Sequence, residues 1–297
     1  MTLASPIAVA VDDGRPRDDE LDLFGLTHPG RVRKENEDHF LLCTVHPQVV
    51  IHATSLPRPD EIEQRGQRLA TIMLVADGVG GSAAGSRASM IATEAVTRYV
   101  ASSLRCYHNA GTADAHQFEQ ALRSAALTAH ETVRNEAQER PDERGMATTL
   151  SLGIVVWPWL YVVQVGDSRC YLYQGGTLRQ LTRDQTYAQD LLEQGVFSQQ
   201  DVKTSPLSNV LSSAIGATEA VPVVSRVDVR DRGCVVFVCT DGLIKHVSDA
   251  EIADHLSRMT SAEQVTNALL ELALERGGSD NITLVVGRAL EKNRARD

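Results

Sequence analysis

The chain has no surplus of basic residues. Lysine and arginine total 29 against 39 aspartate and glutamate, a formal net charge of -10. A general nucleic-acid or anionic-membrane binder carries a basic surface, so both partners are disfavoured. Long apolar runs are also missing; the longest fall far short of the ~20 residues that cross a bilayer as a helix. Cysteine is scarce. Cys43, Cys106, Cys170, Cys234 and Cys239 form no C-x-x-C pair and are odd in number. They read as small buried apolar residues of a reducing compartment rather than a disulfide framework. The nine histidines contain no H-E-x-x-H spacing and supply no zinc site of that kind. The opening "MTLASPIAVAVDDGRPRDDE" lacks the basic start of a secretory signal, and Pro6 interrupts its short apolar run. A soluble, cytoplasmic, monomeric protein is expected. Its 42% hydrophobic content over 297 residues suffices for one large domain or two small ones.

What the chain does have is carboxylate at the ends of apolar runs. "TIMLVA" (71–76) reads as a buried strand and stops at Asp77, which three glycines follow within four positions. "CVVFVCTDGL" stops at Asp241-Gly242, "LYVVQVGDSR" stops at Gly166-Asp167, and "GGSDNITLVVG" sets Asp280-Asn281 before an apolar run. One such aspartate is ordinarily a turn former, because its side chain bonds its own backbone. Four at strand ends, together with "ENEDHF" (35–40) near the start, exceed what turns require.

Periodicity and breakers organise the rest. Residues 1–20 read as a flexible tail and 289–297 as a charged end. Strands are expected at 21–27, 39–45, 71–76, 147–157, 160–165, 169–174, 178–182, 221–229, 234–240 and 281–288, set off by turn signals such as "PW", "GD" and "GG". Helices are expected at 83–103, 115–139, 187–194, 248–257 and 261–276. Trp157 and Trp159 around Pro158 read as a hairpin turn at a sheet edge. Residues 46–68, with Pro47, Pro57 and Pro59, form a long excursion. There is no internal repeat. Strands cluster on both sides of paired helices without strict β-α alternation, which fits an α+β domain of packed sheets with helices outside.

Glu37, Asp38, Asp77, Asp167, Asp241 and Asp280 would repel one another in one cleft. Hard divalent cations remove that penalty: Mg²⁺ and Mn²⁺ favour carboxylate, carbonyl and water oxygens. Two such ions about 3.5–4 Å apart clamp a phosphoryl group and turn a bound water into a nucleophile. Glycine after Asp77 permits a tight turn that leaves a carbonyl free as a further ligand. Arg33, four residues before Glu37, has the bidentate fork that grips phosphate, although an arginine in "RVRKENED" reads equally well as a solvated one.

In this light the chain resembles the bacterial form of the metal-dependent serine/threonine protein phosphatases of the protein phosphatase 2C (PPM) type. The resemblance runs over about residues 21–288. It rests on an ordered series: "GLTHPGRVRKENEDHF", "VADGVGG", "MATTL", "VGDSRCYLY", "LTRDQT", "NVLSSAIG", "TDGL" and "SDNITLVV". Each is weak alone; their order and separation carry the signal. The resemblance implies a central β-sandwich of two antiparallel sheets flanked by helices on both sides, with a flap at 183–212. It implies a pair of Mn²⁺ or Mg²⁺ ions bridged by Asp77. Glu37 and the Gly78 carbonyl would complete one ion, Asp241 and Asp280 the other. Asp38 would hold metal-bound water, Arg33 would bind phosphate, and Asp167 with Asp241 matches a third-ion site. The implied substrates are phosphorylated proteins, those of a cognate Ser/Thr kinase.

Three positions depart from the family pattern. The histidine that often follows the Asp-Gly pair is Val79, the flap opens with Asp184-Gln185 where Asp-His is frequent, and it closes with Ser212-Ser213 where Thr-Arg is frequent. Two rival readings remain. "GVGGSA" (78–83) fits a dinucleotide-binding G-x-G-x-x-[GA] between strand and helix, but Asp77 would repel a pyrophosphate and no acidic strand end follows about 20 residues on. A catalytically weak phosphoprotein-binding module would be marked by a lost metal carboxylate, and none is lost.

Overall fold

The computed structural model describes residues 14–48, 66–109 and 115–291. In chain order the elements are β1 (Leu21–His28), β2 (His39–Val45), β3 (Ala70–Ala76), β4 (Gly78–Val79), α1 (Ser82–Asn109), α2 (Ala115–Glu139), β5 (Ala147–Thr148), β6 (Leu150–Val156), β7 (Trp159–Val165), β8 (Arg169–Gln174), β9 (Thr177–Gln180), α3 (Tyr187–Glu193), α4 (Gln199–Thr204), β10 (Val223–Asp228), β11 (Val235–Cys239), α5 (Asp241–Ile244), α6 (Asp249–Ser257), α7 (Ala262–Glu275) and β12 (Ile282–Ala289). Two five-stranded antiparallel sheets result, ordered β1-β12-β11-β8-β9 and β10-β7-β6-β3-β2.

Strand β3 is buried throughout because both its faces are covered. Ile72, Leu74 and Ala76 join the α1–α2 cluster with Ala88, Ala92, Val96, Val100 and Leu104, a stripe at every fourth residue of α1. Met73 and Val75 point the other way and meet Val236, Val238 and Val285 of the opposite sheet. Beyond that sheet, Val235, Phe237 and Cys239 pack with Ile252, Leu256, Val265, Leu269 and Ala273 of α6 and α7. The layers are therefore helix, sheet, sheet, helix, as expected. Burying each such aliphatic side chain contributes ~1.5–3 kcal/mol, and Leu74→Ala, at a fully buried position, should cost ~2–5 kcal/mol.

Some boundaries differ from the sequence reading. The strand expected at 147–157 is broken at Thr149, whose amide donates to the Asp77 carbonyl at 2.9 Å instead of continuing a ladder. The strand expected from 221 starts at Val223, after Pro222, which has no N–H to donate. Helix α1 continues to Asn109, past the expected end at 103, because nothing in between breaks it. The expected tail 1–20 is pinned over its last residues. Arg15 Nη1 donates to the Arg68 carbonyl at 3.0 Å, Arg68 Nη2 to the Pro16 carbonyl at 2.6 Å, and Arg232 Nη2 to Glu20 at 3.0 Å. Residues 1–13 of that tail, residues 49–65 of the excursion at 46–68, and residues 292–297 of the charged end lie outside the described residues. Cys43, Cys170, Cys234 and Cys239 are free thiols.

Candidate active site

Strand register gathers the carboxylates at one end of the sandwich. His39 pairs with Ala76, so one step further Asp38 faces Asp77. Cys239 pairs with Arg169, so two steps further Asp241 faces Asp167. His28 pairs with Ile282, which brings the segment before β2 against Asp280-Asn281. Arg33, Glu37, Asp77, Gly78, Val79, Asp167, Asp241, Lys245 and Asp280 line one cleft there. Asp38 lies beneath it, buried. All eight expected site residues thus meet.

Local contacts hold each one. The Asp77 amide donates to Thr149 Oγ1 at 3.0 Å and Thr148 Oγ1 donates to the Asp77 carbonyl at 2.8 Å. Asp38 Oδ2 accepts from Thr240 Oγ1 at 2.8 Å and Thr283 Oγ1 at 2.7 Å. Glu37 is set against α1 at Gly85, where a Cβ would overlap its carboxylate; Gly242 must be glycine because a Cβ there would overlap the Asn281 carbonyl. Close approach to backbone, rather than flexibility, requires glycine at 242, while at 85 it leaves room for the Glu37 carboxylate. Asp167 follows the Gly166 turn, whose amide donates to Gln185 Oε1 at 2.7 Å while Gln185 Nε2 donates to the Val221 carbonyl at 2.9 Å. Gln185, where histidine is frequent, thus staples the Gly166 turn to the Val221 backbone. Asp184 forms a two-point ion pair with Arg169, Nε to Oδ1 at 2.9 Å and Nη2 to Oδ2 at 2.6 Å.

The electrostatics are those of crowded anions. Desolvation pushes the Asp77 carboxyl well above the usual range, and Asp38, Asp241, Asp167 and Asp280 push it further. Asp167 is likewise raised, by desolvation first and then by Asp241 and Asp184. Asp38 rises to about 7, because burial outweighs the bonds from Thr283 and Thr240. Asp280 goes the other way: desolvation would raise it, but Lys245 and Arg33 overcome that and hold it low. Arg33 Nε lies 2.8 Å from Asp280 Oδ1 and its Nη2 3.1 Å from Oδ2. The guanidinium expected to grip phosphate therefore grips a carboxylate here, at the mouth of the cleft.

Do these residues fit divalent cations? The donor set is all oxygen, as hard ions prefer. Asp38 Oδ1 and Asp241 Oδ1 are buried with no hydrogen-bond partner, a cost that a cation or its water would remove. Among the described residues no group of three or more His, Cys, Asp or Glu side chains is already closed around a single point. Ions held there would complete their shells with carbonyl and water oxygens.

Asn281 and Lys245 escaped the sequence reading. Asn281 Oδ1 accepts the Glu37 amide at 2.8 Å, and its Nδ2 donates to the carbonyls of Glu35 at 2.9 Å and Pro29 at 3.1 Å. Its only local signal was its place in "SDN". Lys245 lies four residues after Asp241 in "TDGLIK", a spacing that puts both on one helix face.

Comparison with known proteins agrees with this geometry. Residues 52–275 match the family model described as Protein phosphatase 2C; the match begins after the Arg33–Asp38 segment, which the structure adds to the site. The serine/threonine phosphatase stp of Listeria welshimeri is 32% identical over 215 residues, 72% of this chain and 83% of that protein. Protein phosphatase PhpP of Streptococcus pneumoniae is 27% identical over 217 residues, 73% of this chain and 85% of that one. The crystal structure of the Mycobacterium tuberculosis serine/threonine phosphatase PstP/Ppp superposes with a TM-score of 0.72 at 26% identity, covering 91% of this chain and 99% of that one. The PstP catalytic domain in complex with two manganese ions gives 0.69 at 25% identity, covering 91% and 99%. The chain belongs to the protein phosphatase 2C family. It is a metal-dependent protein serine/threonine phosphatase.

Proposed function

We propose that the cleft hydrolyses phosphoserine and phosphothreonine in proteins around two Mn²⁺ or Mg²⁺ ions. Glu37, Asp77 and the Gly78 carbonyl would hold one ion, and Asp77, Asp241 and Asp280 the other. When bound, the pair neutralises phosphoryl oxygens and lowers the pKa of a water nucleophile. Asp38 orients that water through Oδ1, since Oδ2 is already held by Thr240 and Thr283. Arg33, at the cleft mouth, turns from Asp280 to the substrate phosphate, where its fork gives two-point contact. Val79 lines the cleft in place of a histidine, so this side chain transfers no proton to the leaving group. Asp167 with Asp241 is our assignment for a third, weaker ion. The reading extends to a cytoplasmic monomer that acts on the products of a Ser/Thr kinase, with residues 46–68 as an insertion and 183–212 as the flap. No helix among the described residues is long and apolar enough to cross a membrane.

The observation that carries this reading is the convergence of Glu37, Asp77, Asp167, Asp241 and Asp280 on one cleft, with Asp38 Oδ1 and Asp241 Oδ1 buried there without a hydrogen-bond partner. Chelator-treated protein should not hydrolyse p-nitrophenyl phosphate or a phosphothreonine peptide, Mn²⁺ should restore both activities, and Asp77→Asn should abolish them. Turnover in Asp77→Asn near the wild-type level would refute the two-ion assignment.

A further inference from the structure

Lys245 places an ammonium inside the carboxylate cluster. It caps α5, and its amide donates to the Asp241 carbonyl at 3.0 Å. Its Nζ lies 2.6 Å from Asp241 Oδ2 and 2.8 Å from Asp280 Oδ2. The side chain is 30% exposed, so this pair is partly screened from water. Lys245 also acts at longer range on Asp167, whose carboxyl it pulls down against desolvation and the charges of Asp241 and Asp184. One ammonium therefore serves two of the three carboxylates assigned to the second ion, Asp241 and Asp280, and reaches Asp167, assigned with Asp241 to a third. Asp77, by contrast, makes no ion pair among the described residues.

The chemistry of the two cations differs. A lysine ammonium is a compact point charge on a flexible four-carbon stem. It can neutralise two carboxylates at once and swing away from both. A divalent ion brings twice the charge and needs the same two carboxylates. Asp241 Oδ2 and Asp280 Oδ2 cannot both bind Lys245 at hydrogen-bond distance and ligate an ion in the same direction.

Resting on the two-ion reading, we propose that Lys245 is a built-in competitor for the second ion. It holds Asp241 and Asp280 together until a divalent cation displaces its ammonium, so the ions load in order: first at Glu37, Asp77 and Gly78, then at Asp241 and Asp280. The second site is thereby weakened, and the fraction of working enzyme follows the free metal concentration. Lys245 is a positioning residue in this scheme, since it acts on the carboxylates and not on the reacting atoms.

The competition gives Lys245→Met two effects of opposite sign. Without metal, removing the ammonium leaves Asp241 and Asp280 facing each other, so the melting temperature in EDTA should fall. With metal, removing the competitor should tighten the second site. Calorimetric titration of Mn²⁺ into chelator-treated protein should show a second Kd about tenfold lower in Lys245→Met, a gain of about 1.4 kcal/mol, with the first Kd little changed. Lys245→Arg, which keeps a cation, should leave the second site weak. A merely structural lysine would instead weaken both the metal-free and the metal-loaded protein. An unchanged or weaker second Kd in Lys245→Met overturns the competition while leaving the two-ion reading intact. A wild type that takes up no Mn²⁺ overturns both. If Lys245→Met does not fold without metal, the wild type decides: the ¹³Cε resonance of Lys245 should move with the second equivalent of Mg²⁺ and not the first, and movement with the first equivalent overturns the order.

Discussion

The amide of Glu37 donates to Asn281 Oδ1 at 2.8 Å, across 244 residues of chain. Through this bond and two more to the Pro29 and Glu35 carbonyls, the first residue of β12's approach holds the whole segment that carries Arg33, Glu37 and Asp38. Buried Asn281 has the donors and the acceptor that this segment needs, and no apolar residue could replace it. Asn281→Ala should lower stability by roughly 2–4 kcal/mol, because three hydrogen bonds go and buried partners are left unsatisfied. It should also weaken the first Mn²⁺ site, read by calorimetry. A variant with wild-type melting temperature and metal affinity would show that Glu37 is placed by something else.

Arg33→Ala separates substrate binding from metal binding. Its guanidinium touches Asp280 at two points and is the arginine of the cleft mouth. Its loss should raise KM by the equivalent of about 2–3 kcal/mol, the scale of a charge-assisted bidentate contact. Mn²⁺ affinity should not fall, since Asp280 loses a competing cation rather than a ligand. Calorimetry showing Arg33→Ala losing metal as badly as Asp241→Asn would overturn the assignment.

The pH dependence of stability has a definite sign. Asp38 has a folded pKa of about 7 against 3.8 ordinarily, raised chiefly by burial. A carboxyl with a raised folded pKa contributes stability fully below its unfolded pKa and loses it as pH rises through the folded one. In EDTA, wild type should therefore lose stability relative to Asp38→Asn between pH 5 and 8, with a slope of up to about 1.4 kcal/mol per pH unit. Asp77 and Asp167 are shifted in the same direction. Stabilisation by Mn²⁺ should grow over that window, because its ligands must be ionised. Parallel melting curves for the two proteins at every pH would contradict the buried, protonated state of Asp38.

The proposed insertion at 46–68 should be removable without straining the sheet. The Gly66 amide donates to the Pro47 carbonyl at 3.0 Å and the Leu69 amide to the Val45 carbonyl at 2.7 Å, so its ends already adjoin. Replacing residues 49–65 by a short Gly-Ser link should leave p-nitrophenyl phosphate hydrolysis within a few-fold, since closure entropy changes slowly with loop length. Activity on a phosphoprotein should fall if the insertion selects partners. Loss of small-substrate activity in a folded deletion would place the insertion in the active site.

What the sequence determined by itself is local. An apolar run that stops at Asp77, Asp167 or Asp241 reports a strand end and its carboxylate together, because period and punctuation act within a few residues. The clustering of strands on both sides of paired helices likewise pointed to sheets packed together with helices outside. Tertiary structure decided what those carboxylates touch. Whether Arg33 faces solvent or Asp280, whether Gln185 is a flap residue or the staple of Gly166, and whether Lys245 is a solvated lysine or the partner of Asp280, 35 residues away, depend on strand register between distant segments. Register is set by which faces bury their apolar side chains, a property of the whole sandwich that no short stretch of chain contains.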